Sequence, residues 1–231
     1  MTFVRCTYFP NHTDVGCGEG FPARTLTGLG ASKVVGIDVS ENMVELANLI
    51  AAEEDICHKQ RFFPGSATEL RDVLSKHYSE IPILPGLSGL KEPFDIAVAI
   101  FLFNYLSTQD TAKCMEQVYT LLKPGGHFIF SVPHPMMAFL HRQSTTSNDP
   151  TQDETPTFSF ETIPCGDSKQ HYFSLRDMEL KGVIKTTEGV PLNVRMRFKT
   201  LHDYFSLLTK IGFRIVEVSN LSCHEFLRQY T

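Results

Sequence analysis

What the sequence lacks already narrows its function. No dense run of Lys or Arg occurs: 21 basic residues are spread among 26 acidic ones, for a net charge of −5. Electrostatic capture of nucleic acid or of an anionic membrane is therefore not expected as the main activity. Long hydrophobic runs are also missing. The longest, Phe94 to Leu106, is too short to span a bilayer and carries Asp95 and Asn104. The opening Met1-Thr-Phe-Val-Arg has no apolar stretch of signal-peptide length. The six cysteines, at 6, 17, 57, 114, 165 and 223, form no CxxC pair and have no His at ligand spacing. Neither a disulfide framework nor a metal site is expected. Two N-x-[ST] sequons, Asn11-His-Thr and Asn220-Leu-Ser, read as chance matches. The expectation is a soluble, cytoplasmic protein.

What is present is a globular composition, 42% hydrophobic and 20% charged, in a chain long enough to bury a core as a single domain over residues 1–231. No internal repeat is visible. Short β-branched runs alternate with helical patterns, as in βαβ units. Lys33-Val-Val-Gly-Ile-Asp38 reads as a buried strand. Ser40 reads as a helix N-cap, with Met43, Leu46, Ala47 and Ile50 on the inward face. Arg61-Phe-Phe-Pro-Gly is a short strand, followed by a weak helix near 67–76 and a Pro/Gly-rich connection to Pro93.

Phe94 to Phe101 is the strongest strand and is expected at the sheet centre. Ser107 and Asp110 match a capping box. The helix they open turns Met115, Val118 and Leu122 inward and stops at Lys123-Pro-Gly-Gly126, before a strand over His127–Val132. Residues 141–157 read as a mobile loop, and 158–198 as an extended insertion with a hairpin turn at Thr187-Glu-Gly189. Thr200 and Asp203 suggest another capping box. Leu201, Tyr204, Phe205 and Leu208 form the stripe of a helix that Gly212 ends, and Phe213–Val218 reads as a late strand.

The most informative stretch is Asp14-Val-Gly16-Cys-Gly18-Glu-Gly20. Closely spaced glycines after a strand let backbone approach a ligand where side chains would clash. Asp38 follows about twenty residues on, at a strand tip, where a carboxylate can accept from both hydroxyls of a ribose. A dinucleotide fingerprint fits poorly: counted from Gly16 its sixth position is Phe21, and counted from Gly18 it is Ala23. No P-loop lysine follows.

These residues resemble the class I S-adenosylmethionine-dependent methyltransferases, especially those acting on small molecules. Asp14 to Gly20 is similar to their first motif and Val35-Gly-Ile-Asp-Val-Ser-Glu-Asn-Met43 to their second-strand motif. Phe94-Asp-Ile-Ala-Val-Ala agrees with their fourth strand, Leu121-Leu-Lys-Pro-Gly-Gly-His-Phe128 with the approach to the fifth, and Asp203-Tyr-Phe with Gly212-Phe with a late helix and strand. The resemblance implies a Rossmann-like, doubly wound α/β fold: a mainly parallel sheet with helices on both faces and a β-hairpin insertion near the substrate side. It implies S-adenosylmethionine as cofactor, held by Asp14, Gly16, Cys17, Gly18 and Gly20, with the ribose on Asp38 and the adenine on Val39 and Met43. Ser66 stands where the family often has an acid, with the Ala67 amide beside it, and Phe101 adds to the cofactor set.

The implied reaction is in-line transfer of a methyl group to a small-molecule acceptor, with no membrane span or nucleic-acid partner. Acceptor-side candidates are Asn104, Tyr105 and His134. His134, in Ser131-Val-Pro-His-Pro135, reads as a general base, as a substrate contact, or as a histidine fixed in a proline turn. Asn104 either orients substrate or caps the following helix. Cys17 reads as a packing residue rather than a nucleophile. Tyr172, Phe173 and Met196 are candidates to wall an apolar pocket, against core packing.

Two features depart from the family. Pro10-Asn-His-Thr13 makes a poor central strand; Phe3–Phe9 is the substitute, in awkward register. Asn220 to Thr231 reads as a short helix or tail where an antiparallel strand is usual. The chain reads as shortened at both ends, and the alternative function is a non-catalytic relative that binds cofactor weakly or serves as a partner subunit.

Overall fold

Strands here form where β-branched runs can be covered on both faces, and the computed structural model places five of them in one parallel sheet of order β3-β2-β1-β4-β5. Residues 11–77, 94–135, 158–160, 175–185 and 191–219 are described. The expectations for Phe3–Phe9, for 141–157, for Thr187–Gly189, for Tyr172 and Phe173 and for Asn220–Thr231 lie outside them, as does most of the connection to Pro93. The described residues divide into two compact units. One is drawn from Met1–Ile100, Ala112–Ser131 and Leu207–Thr231, the other from Phe101–Thr111 and Val132–Ser206.

The first unit holds the parallel sheet: β1 (Asn11–Val15), β2 (Lys33–Asp38), β3 (Gln60–Pro64), β4 (Phe94–Ile100) and β5 (Leu122–Ser131). With helices α1 (Phe21–Gly28), α2 (Glu41–Glu53) and α3 (Leu70–Lys76) between strands, this is the expected Rossmann-like α/β architecture. On one face Ala23 of α1 and Val44, Ala47 and Ala51 of α2 close over Val34 and Phe62. Val35 and Ile37 point to the opposite face and are equally buried. Asn48 reaches from α2 to the outer edge of β3, bonding the Phe62 N–H at 3.3 Å and its carbonyl at 3.0 Å where a further strand would otherwise pair.

Four expectations need correction. The central strand is β1 itself, between β2 and β4, despite the proline: Pro10 precedes the first paired residue, and the Asn11 amide is taken by Asp95 Oδ2 at 3.0 Å. The inward face of α2 is Val44, Ala47 and Ala51, while Met43 and Leu46 are exposed, because small residues let the helix approach Phe62 closely. β5 begins at Leu122 rather than His127. Its pairing with β4 jumps from Phe94–Leu122 to Ile96–His127, so Lys123-Pro-Gly-Gly126 is accommodated as an irregularity within the strand. Lys123 Nζ pairs there with Asp95 Oδ1 at 2.7 Å. Phe213–Val218 is not a strand: it pairs with no strand among the described residues, and Val216 and Val218 are exposed. Its anchor is the Phe213 ring, packed on Tyr119 and Phe128 at 5.0 and 5.5 Å.

The second unit contains an antiparallel sheet of order β6-β7-β8, with β6 (Phe158–Phe160), β7 (Glu179–Lys185) and β8 (Pro191–Arg197). The expected hairpin is therefore present as β7 and β8, with one more strand beside it. Helices α4 (Thr108–Leu121) and α5 (Leu201–Ile211) open on both predicted capping boxes. Ser107 Oγ accepts from the Asp110 amide at 3.0 Å, and Thr200 Oγ1 from the Asp203 amide at 3.2 Å. Gly212, at φ 114°, closes α5 as predicted.

Candidate cofactor site and acceptor loop

β1 delivers the chain into the glycine loop, and β2 holds that loop in place. The amides of Gly16 and Cys17 both donate to the Ile37 carbonyl, at 2.8 and 3.1 Å, and the Gly20 amide donates to the Cys17 carbonyl at 2.9 Å. Gly16, Gly18 and Gly20 all take left-handed φ values of 72°, 52° and 82°, which a side chain would strain. A Cβ on Gly20 would collide with Phe62 at 2.7 Å, whereas one on Gly18 would meet nothing within 4 Å. Gly20 thus serves packing, while Gly18 keeps its outer side clear.

Asp14 is completely buried, and neither of its carboxylate oxygens has a well-formed hydrogen bond among the described residues. Burial raises its pKa from 3.8 to about 7; the nearby Ala23 amide opposes that rise without completing a well-formed bond, and the charge of Asp38 adds to it. The half-buried Asp38 carboxylate accepts from the Gly18 amide and from the Ser40 amide, each at 2.9 Å. It therefore ties the glycine loop to the start of α2. The third strand joins at the same point, since the Gly65 amide donates to the Asp38 carbonyl at 2.8 Å.

The carboxyl ends of β1, β2 and β3 thus converge, bringing together Asp14, Gly16, Cys17, Gly18, Gly20 and Asp38, with Ser66 and Ala67 following Gly65 in the chain. Ser66 Oγ is occupied locally, bonded to the Thr68 amide at 3.2 Å and to its hydroxyl at 2.8 Å. Val39 is 79% exposed and Met43 46%, leaving apolar surface beside Asp38 uncovered. Cys17 is a packing residue: burial pushes its thiol far above the usual range, and Sγ donates weakly to the Gly18 carbonyl at 3.6 Å. No cluster of three metal-ligating side chains occurs among the described residues.

Phe101, Asn104, Tyr105 and His134 fall in the second unit. Phe101 leaves β4 with a left-handed φ of 53°, unusual for a non-glycine residue. Asn104 is 5% exposed and its Oδ1 accepts no hydrogen bond among the described residues. It is not the helix cap. Ser107 is, helped by Asp177, whose Oδ1 accepts from the Thr108 amide at 2.7 Å and its hydroxyl at 2.9 Å. Tyr105 and His134 are exposed. Met196 is buried, as core packing requires. Sequence reasoning missed Asp177, Arg197 and Lys199, which hold this loop. Arg197 and Lys199 grip it through main-chain carbonyls, which leave no side-chain signature in the sequence.

A methyltransferase-domain family model matches residues 13–128, half of the chain. The ubiquinone biosynthesis O-methyltransferase of Acinetobacter baylyi is 29% identical over 118 residues, 51% of this chain and 41% of that protein. Its namesake from Proteus mirabilis is 26% identical over 118 residues, 51% of this chain and 40% of that one. The chain thus spans about two fifths of the length of these curated relatives. Among solved structures, the CcbJ methyltransferase of Streptomyces caelestis superposes with a TM-score of 0.59 at 20% identity, covering 90% of this chain and 78% of that one. An S-adenosylmethionine-dependent methyltransferase from Mesorhizobium loti gives 0.53 at 20% identity, covering 91% and 77%. At such identities the likeness is one of fold. The family match opens one residue before the buried Asp14 and runs into β5, so it takes in the whole convergence of strand ends: the chain belongs to the methyltransferase-domain family of class I S-adenosylmethionine-dependent enzymes.

Proposed function

We propose that this chain transfers a methyl group from S-adenosylmethionine to a small-molecule acceptor, acting in the cytoplasm and without a nucleic-acid partner. The observation that carries this reading is Asp14, a wholly buried carboxylate with no well-formed hydrogen bond among the described residues, beneath a loop whose Gly18 leaves its outer side open. A buried, unpaired carboxylate calls for a cation, and the cofactor carries one on its amino group and one on its sulfur. The rest of the set fits as well. Asp38 retains lone pairs for ribose hydroxyls, and Val39 and Met43 offer apolar surface for adenine. The backbone at Gly16 and Gly18 allows close approach, Cys17 and Gly20 support it by packing, and Ser66 and Ala67 edge the ring.

When bound, S-adenosylmethionine supplies a methyl group activated by a positively charged sulfur. What remains for the protein is alignment and exclusion of water. In this reading Phe101 is assigned to the cofactor, Asn104 and Tyr105 to orienting the acceptor, and His134 to taking its proton where the acceptor is a hydroxyl. Oxygen is the first acceptor atom to test, given the O-methyltransferase relatives. Free cysteines at 17, 57 and 114 suit a reducing compartment, and no helix among the described residues is long and apolar enough to cross a membrane.

Calorimetric titration with S-adenosylhomocysteine, with NAD as control ligand, tests the reading. Micromolar binding of the former alone supports it. A folded protein that binds neither is a non-catalytic relative, and binding of NAD instead overturns the cofactor assignment.

A further inference from the structure

Lys199, just beyond the end of β8, is 3% exposed. Its ammonium donates to the carbonyl of Phe103 at 2.8 Å and to that of Leu106. Those two carbonyls bracket Asn104 and Tyr105. Burying an ammonium is costly, and an apolar side chain of similar length would fill the space without that cost. What the charge adds is direction: it fixes two carbonyl groups of one short loop relative to each other.

The same loop is gripped from neighbouring positions on the same unit. The Arg197 amide donates to the Asn104 carbonyl at 2.7 Å. Asp177 takes the Thr108 amide at 2.7 Å, and Arg197 Nη1 holds the Asp177 carbonyl at 3.0 Å. The backbone of 103, 104, 106 and 108 is thus fixed by residues 177–199, a constraint able to support the left-handed Phe101 at the loop's start. Against so much satisfied backbone, the buried Asn104 Oδ1 is left over within 101–108, with no donor among the described residues.

We propose that Lys199 is a positioning residue for methyl transfer, holding the 101–108 loop so that the Asn104 amide and the Tyr105 hydroxyl are presented to the acceptor. The proposal rests on the acceptor-side reading given under Proposed function. Lys199 acts through the main chain and touches neither cofactor nor acceptor.

Titration supplies a readout that bulk packing would not move. Burial lowers the Lys199 pKa to about 8; the carboxylates of Asp177, Asp203 and Asp110 oppose that fall, and the Arg197 guanidinium adds to it. Arg176 in turn neutralises Asp203, at 2.8 Å. Above pH 8 the amine loses its charge and its bonds to the two carbonyls lose their charge assistance.

The experiment is hydrogen–deuterium exchange of peptides covering 101–111 at pH 7 and pH 9, corrected for intrinsic rates, in wild type, Lys199→Met and Lys199→Arg. Wild-type loop exchange is expected to accelerate several-fold at pH 9. In K199M it is fast at both pH values, and in K199R it is slow at both, since the guanidinium stays charged. S-adenosylhomocysteine affinity is expected to stay within about twofold throughout, while kcat/KM for 3,4-dihydroxybenzoate as probe acceptor falls at least tenfold in K199M and is largely restored in K199R. Unchanged loop exchange in K199M, or a wild-type loop insensitive to pH, overturns the proposal. So does equal loss of cofactor affinity, which would mean general damage. A wild-type protein that binds S-adenosylhomocysteine but does not methylate the probe counts against that acceptor class, while the exchange pattern decides the role of Lys199.

Discussion

Asp14→Asn offers the sharpest test of the candidate cofactor site, because the site's central acid is held at a cost that pH reveals. The wild-type carboxyl moves from 3.8 to about 7, chiefly through burial. Between those values the folded chain holds a proton that the unfolded chain has released, so stability falls as pH rises through the window and levels off above it. Each pH unit carries about 1.4 kcal/mol, so a shift of about three units amounts to at most about 4 kcal/mol. Asparagine has the same shape and no charge to lose.

The expectation is therefore not merely a stability change but a change of slope. Urea unfolding of the ligand-free protein between pH 4 and pH 8 should show D14N gaining on wild type by up to about 4 kcal/mol, with unchanged m-values. The mutant should also bind S-adenosylhomocysteine at least tenfold more weakly at pH 8, because the amide cannot balance a cation. If Asp14 meets the cofactor's cation as a carboxylate, wild-type affinity should rise toward pH 7 and binding at pH 6 should release a proton, read as a dependence of calorimetric enthalpy on buffer. Parallel stability profiles for mutant and wild type would refute the account of Asp14, whatever the binding result.

Three other substitutions separate binding from architecture. Asp38→Ala should cost at least tenfold in S-adenosylhomocysteine affinity and also about 1–2 kcal/mol of stability, since the Gly18 and Ser40 amides both lose their acceptor; unchanged affinity by calorimetry would sink the ribose assignment. Gly36→Ala brings a Cβ to 2.3 Å from Phe62 Cδ1 and should destabilise by about 1–3 kcal/mol in urea, with partial recovery in a Gly36→Ala, Phe62→Leu double variant. His134→Ala should lower turnover of the probe acceptor without changing cofactor affinity, and unchanged turnover would leave His134 a surface histidine.

How far the chain could be read depends on where each element keeps its information. β2 was legible to the residue, and so were the caps at Ser40, Ser107 and Thr200, because a cap is specified within four residues. The inward face of α2 was legible only at Ala47. The apolar residues at 43 and 46 suggest one stripe, but the close approach to Phe62 selects the alanines at 47 and 51, and that preference lies in the partner rather than in the helix. Phe213–Val218 fails for a related reason. Its residues suit a strand, yet a strand is a pairing, and no neighbour among the described residues supplies the ladder.

The same distinction divides the functional residues. The candidate cofactor side is written in side chains at short spacing, with glycines at 16, 18 and 20 and acids at 14 and 38, so it can be proposed before the fold is known. The loop that carries Asn104 and Tyr105 is held by backbone carbonyls, and Lys199 reaches them from 96 and 93 residues away. A main-chain acceptor looks the same at every position, so nothing in residues 103–106 announces that a lysine will be needed. On the proposed role of this loop, substitutions in it alter which acceptor is oriented while leaving its carbonyl anchors intact. Chains sharing the glycine loop and Asp38 can accordingly differ in acceptor with little trace in their motifs. For this chain, acceptor choice should follow the side chains at 104 and 105, and the ability to orient any acceptor should follow Lys199.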